Sequence, residues 1–164
     1  PLPDLPIPLQ GAAAWYHAGV TYVIGGGDRE YVYEDVFVLN RQDEKWISFS
    51  QMNFPRMHHA ATQLGDELWV TGGFDGSVFL RSVESWKVNR LRADRQSSSW
   101  MIRPELPEDR SYHAAVTLDG CIYVLGGESG KSAEEGSLLR SVVCLDPSSG
   151  QGWTSSPPMR KARS

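Results

Sequence analysis

HAAVTLDGCIYVLGG, residues 113–127, decides the fold of this chain. It reads as two short strands, 114–118 and 121–125, joined by Asp119-Gly120. Asp-Gly between two apolar runs is a strong hairpin signal, because the turn needs positive φ angles that few residues tolerate. Gly126-Gly127 then ends the hairpin. Residues 59–73, HAATQLGDELWVTGG, align with it at an offset of 54 without a gap. Residues 12–26, AAAWYHAGVTYVIGG, align again, 47 residues before the middle copy. In this register Tyr22-Val23 meet Trp69-Val70. His17 falls opposite Leu64 and Leu118, so it is not the counterpart of His59 and His113.

Each copy continues alike. A polar loop leads to a third apolar run at 36–39, 83–86 or 142–145, and Trp46, Trp100 or Trp153 opens a fourth. The units close on Arg56, Arg110 and Arg163. A period near 50 with four short strands per unit indicates a β-propeller blade. The glycine pair with its spaced tryptophan resembles the kelch repeat. GGFDGSVFLRSVESW (residues 72–86), followed by Trp100, resembles the kelch-like family, and the resemblance covers essentially the whole chain. The expected fold is all-β: a partial kelch β-propeller of three four-stranded antiparallel blades, half of a six-bladed ring. Residues 1–9 read as the tail of a preceding blade, and the repeats as 10–56, 57–110 and 111–164. Three blades do not close a ring. Remaining blades from a longer native chain, or self-association with a second copy, would complete it.

The residue types suit this architecture. Alanines at 12–14, 60–61 and 114–115 fit the crowded strands nearest an axis. The second runs are apolar on both faces, as a strand covered on both sides requires. The glycine pairs lack the following residues of a phosphate cradle, so they read as sites of close backbone packing. The recurring arginines read as bonds between neighbouring blades, because repeats reuse scaffold residues and vary binding ones.

A net charge of −4 argues against a nucleic-acid surface. No apolar run approaches the ~18 residues of a membrane span. Pairing the second and third strands of the last copy places Val124, not Cys121, opposite Cys144. No disulfide is expected, and reduced thiols fit a cytoplasmic protein. The histidines and cysteines lack metal-ligand spacing, and no G-x-S-x-G signature occurs. No metal, no cofactor and no catalysis are expected.

In a four-stranded meander, the second–third loops and the fourth-to-first linkers lie on one rim. The resemblance implies that partner-contacting residues lie in those loops and two positions after each blade-closing arginine. Here these are Asp28, Arg29, Tyr31, Phe74, Asp75, Ser77, Glu128 and Lys131, with His58 and Tyr112. The acidic loops favour a mixed or basic protein or peptide ligand over an acidic one. An insertion between the third and fourth strands of the middle copy carries Arg90, Arg92 and Arg95 on the opposite face and reads as a solvated hairpin tip. The kelch-like resemblance implies substrate recognition for a cullin-based ubiquitin ligase adaptor. The alternative is a cytoskeletal scaffold of the actin-binding type with no ubiquitin role.

Overall fold

The computed structural model describes residues 3–40, 44–87, 99–130 and 137–163. The first blade is β1 (Ala13–His17), β2 (Val20–Ile24), β3 (Asp35–Asn40) and β4 (Lys45–Gln51). The second is β5 (Ala60–Leu64), β6 (Glu67–Thr71), β7 (Val83–Lys87) and β8 (Met101–Arg103). The third begins with β9 (Ala114–Leu118) and β10 (Cys121–Leu125). A two-residue ribbon follows, β11 (Glu128–Ser129) on β12 (Ser137–Leu138), and then β13 (Val142–Leu145) and β14 (Thr154–Ser156). Every blade is an antiparallel meander in chain order. The ribbon is the one element that the sequence reads as plain loop.

The hairpin turns follow their residues. Ala18-Gly19 and Asp119-Gly120 have positive φ at both central positions, whereas the second blade uses Gly65 alone at the first. These are the two turn classes whose twist matches that of the flanking strands.

The inner strands β1, β5 and β9 lie side by side. Trp15 Nε1 donates to Gln63 Oε1 across the first seam at 3.0 Å. Thr62 Oγ1 and Thr117 Oγ1 bond across the second at 3.1 Å. Trp15, Tyr22, Ile24, Val38, Leu68, Val70, Trp86 and Trp100 fill the first seam. Trp69, Val83, Ile122, Val124, Val143 and Leu145 form the core of the second. The outer tryptophans reach backward along the chain. Trp100 donates to Ser50 Oγ, Trp153 to the Pro104 carbonyl and Trp46 to the Pro3 carbonyl, at 3.1, 2.8 and 3.0 Å. At the ends of the arc, Val116 and Leu118 of the third blade and Tyr16 of the first are exposed.

The blade-closing arginines cross from one blade to the next. Arg56 is fully buried. Its Nη1 donates to the Gly72 carbonyl at 2.6 Å, and its Nη2 to Ser82 Oγ at 3.0 Å and Glu84 Oε1 at 2.7 Å. Glu84 also accepts from the Asn53 backbone and side chain. Arg110 repeats the bond, to the Gly126 carbonyl and Ser141 Oγ at 3.0 and 3.1 Å. Its carboxylate comes instead from Glu108 in the same linker, at 2.7 Å. Arg163 places its carbonyl on Gly127 N as Arg110 does on Gly73 N, but its side chain is exposed.

The glycine pairs are where these linkers pass. A Cβ on Gly72, at φ +55°, would collide with the Arg110 carbonyl and lie 2.8 Å from the His113 ring. His59 and His113 thus wedge against the glycine pair of the preceding blade. His113 Nε2 bonds Thr71 Oγ1 at 2.8 Å.

One expectation about register is corrected. Cys144 lies opposite Tyr123, not Val124. Val124 pairs with Val143, one residue along, so Cys121, Tyr123 and Cys144 share a face. Loop length alone does not set register, and a one-residue slip exchanges the two faces. Both cysteines are free thiols.

Two outcomes follow from these contacts. Arg56→Leu leaves Glu84 buried without its counter-charge and should cost about 3–5 kcal/mol in denaturant unfolding. Because the loss is shared, Arg56→Leu/Glu84→Phe should be destabilised by clearly less than the sum of the two single variants; additivity would deny the clasp. Burial, with Arg56 beside one ring and Arg110 beside the other, holds both buried imidazoles below their ordinary value, His113 down to about 3. Between pH 6.5 and that value the unfolded chain carries protons that the folded one refuses. Stability should therefore fall on acidification, by about 1.4 kcal/mol per pH unit for each histidine. His113→Gln should flatten the slope of a urea-midpoint against pH plot.

Candidate functional site

The rim is built from three linkers and the second–third loops that they meet. Gln10, Met57 and Ser111 form antiparallel bridges with Gly27, Phe74 and Glu128 of the blade each linker enters. The next residue in each linker has left-handed backbone: Gly11 at φ +64°, His58 at +54° and Tyr112 at +55°. They are bonded in series. His58 N donates to the Gly11 carbonyl at 2.8 Å, and Tyr112 N to the His58 carbonyl at 2.9 Å. The His58 and Tyr112 rings stack, with centroids 4.1 Å apart and planes at 23°. Left-handed backbone costs a non-glycine residue roughly 1 kcal/mol or more. Glycine serves at the equivalent position of the first blade, yet two ring-bearing residues are held there in the others. Tyr112 remains 43% exposed at the mouth. Burial pushes the His58 imidazole below its ordinary value.

Asp28 and Asp75 occupy one repeat position and do the same work. Asp28 Oδ1 accepts from Glu30 N and Tyr31 N, both at 2.8 Å. Asp75 Oδ1 accepts from Ser77 N and Val78 N, also at 2.8 Å. Each carboxylate shapes its own loop. Tyr33 Oη adds a 2.6 Å bond to Asp28 Oδ2. That bond draws the Asp28 carboxyl below its usual range and pushes the Tyr33 phenol up to about 12. The third loop has Ser129 at this position. There Asp109 reaches over from the linker, accepting from Ser129 Oγ at 3.1 Å and Gly130 N at 3.0 Å.

The first two loops enclose a groove of about 560 Å³. Asp28, Arg29, Tyr31, Phe74, Asp75 and Ser77 all line it, as do Gln10, Glu30, Val32, Met57 and Gly76. It shares Gln10, Asp28, Arg29 and Glu30 with a second hollow of about 420 Å³ that runs over Pro8 and Leu9. Phe74 is braced edge-on by buried Phe79, centroids 5.7 Å apart, and Tyr31 stands 63% exposed. His58, next to Met57 in the chain, and Tyr112, stacked on it, do not line this groove. Glu128 is tied by backbone bonds to Ser111 on the third loop and lies apart from the groove. Lys131 falls outside the described residues, as do Arg90, Arg92 and Arg95. Gln10 and Met57 escape the sequence reading, although each directly precedes a left-handed residue and could have been reached by counting one position back. Among the described residues, no three His, Cys, Asp or Glu side chains gather in a way that could hold a metal ion. No helix among them is long and apolar enough to cross a membrane.

Radial four-stranded sheets, inner strands side by side and a loop-lined rim define a partial β-propeller. The chain matches the KLHDC2/KLHL20/DRC7 Kelch-repeats domain over residues 3–164 and belongs to that kelch-repeat family. Alpha-scruin of Limulus polyphemus is 29% identical over 97% of this chain. Kelch-like protein 35 of Mus musculus is 33% identical over 83%. The chain spans 17% and 21% of those two proteins. Among solved structures, that of YjhT superposes with a TM-score of 0.80 at 12% identity, over 96% of this chain and 58% of the other.

The strain at the rim gives a direct test. His58→Gly should leave unfolding stability unchanged or raised, whereas His58→Val, a β-branched residue in left-handed backbone, should lower it by about 1–2 kcal/mol. Equal losses in both variants would mean that the ring stack, not the backbone, sets stability here.

Proposed function

We propose that the rim bearing His58, Tyr112 and the groove between the first two loops binds a protein or peptide ligand. In this reading the three repeats, 10–56, 57–110 and 111–164, are a non-catalytic recognition module of a cytoplasmic protein. Its task is to present substrates to a cullin-based ubiquitin ligase. The observation that carries the proposal is the stacked, left-handed His58–Tyr112 pair held at an open mouth where glycine would be less strained. Backbone strain of this kind persists at ligand-gripping positions when the surroundings over-determine it. The likeness to Kelch-like protein 35 supports the adaptor role.

Asp28, Glu30 and Asp75 outnumber Arg29 around the groove, so the favoured ligand is mixed or basic, with an apolar side chain against Phe74. Glu128 and Lys131 would extend the surface on the third loop. The test is affinity capture with the chain and its Phe74→Ala, Tyr112→Ala and Glu30→Lys variants. Shared loss of the same partners is expected, with Glu30→Lys strongest against basic ones. Retention of the wild-type partner set by all three would overturn the site. Co-sedimentation with actin filaments would favour the cytoskeletal scaffold instead.

A further inference from the structure

The two loops that wall the candidate groove occupy one repeat position, yet they satisfy their aspartates differently. In each, Oδ1 accepts two backbone N–H groups of its own turn: Asp28 from Glu30 and Tyr31, Asp75 from Ser77 and Val78. In the first loop the second oxygen is also met, because Tyr33 Oη donates to Asp28 Oδ2 at 2.6 Å. One repeat along, Leu80 stands where Tyr33 does. Asp75 Oδ2 therefore has no hydrogen-bond partner among the described residues.

That oxygen is available and fixed in place. Asp75 is half-buried, lines the groove and is oriented by its two turn bonds. On the other wall, the exposed Glu30 carboxylate takes no bond from any described residue. Arg29, the cation of this lining, forms an ion pair with neither. The walls come close to each other: a Cβ on Gly76, next to Asp75, would lie 3.4 Å from Val32 Cγ2. One long side chain entering between them can reach both carboxylates. Tyr31, 63% exposed on the same lining, offers an aromatic face beside them.

We infer that the groove takes an arginine side chain of a bound peptide, with Asp75 as its anchor. The inference rests on the rim being a peptide-binding surface. A guanidinium presents five N–H donors in a planar fork and no acceptor, which suits carboxylates on facing walls. Its plane stacks on Tyr31, whereas the ammonium of lysine is a compact, strongly hydrated point charge. Phe74 is left for an apolar neighbour of that arginine. An acidic segment in the same place would face the open oxygen of Asp75 and be repelled.

The test is titration of the 15N-labelled chain with acetyl-Gly-Arg-Gly-amide, and in parallel with its lysine and methionine counterparts, following the assigned backbone amides of residues 75–78. Saturable shifts are expected with the arginine peptide, binding about fivefold weaker with lysine, and none with methionine. Asp75→Asn keeps the Oδ1 acceptor of the turn and removes the charge, and should weaken arginine binding about tenfold. Asp28→Asn removes the same charge where the second oxygen is already capped, and should weaken it by less than about threefold. No saturable shift, equal binding of the arginine and lysine peptides, or equal losses in the two variants would overturn the anchor. Partner capture that depends on Phe74 and Tyr112 would survive each of those results, so this inference and the proposed rim fail separately.

Discussion

The arc of blades depends on a buried arginine that ties each closing linker to the next sheet. A guanidinium out of water must have its donors met and its charge balanced, or it destabilises by several kcal/mol. Arg56 balances its charge and satisfies both Nη groups with a glycine carbonyl, a serine and Glu84; Arg110 uses the same kinds of partner and Glu108, and in each only Nε finds no acceptor among the described residues. The carboxylate moves from strand to linker between the two, so the requirement is for a negative charge at that point in space, not at a sequence position. The first blade confirms the coupling by losing both ends together. Leu9 stands where an arginine would, and Phe37 where Glu84 would.

This constraint explains the glycine pairs better than turn chemistry does. The arginine passes where the linker backbone lies against Gly25, Gly72 and Gly126, and a Cβ at each would run into an arginine carbonyl at that approach. The glycine carbonyl opposite is then free to accept the guanidinium. Glycine pair, blade-closing arginine and wedged histidine are parts of one contact. They recur at one period because the contact does.

Much of the fold was legible because repetition reports on packing that a lone strand pattern cannot. Alanines, glycine pairs and tryptophans mark positions that every blade needs. What stayed hidden is what differs between blades. Glu84 sits at a strand position occupied elsewhere by Phe37 and Val143, so nothing local identifies it as the partner of Arg56. The register of Cys144 was off by one because its strand is reached through the longest loop. At the rim, Asp28 and Asp75 belong to the groove as the loop positions implied. One oxygen of each, however, is spent on its own turn, and Tyr33 takes the other oxygen of Asp28, which leaves Arg29, Tyr31, Phe74 and the second oxygen of Asp75 with freedom to meet a ligand. Left-handed backbone at His58 and Tyr112 leaves no trace in composition, since neither residue is a turn former.

The rim and the second seam illustrate how a repeat scaffold hosts variation. At the rim, the belt from Gly11 through His58 to Tyr112 is fixed by a hydrogen bond from each linker to the last, so two strained residues can be held without softening the blades beneath. In the seam, an ion pair between Arg103 and Glu67 and a guanidinium over the Trp69 indole replace apolar contacts, while Ile122, Val124 and Val143 keep the inner part of the interface sealed. Both departures stand beside, and not within, the arginine contact. A blade can therefore surrender packing at its bottom edge or backbone comfort at its top edge, provided the clasp between them keeps neighbouring sheets at one distance.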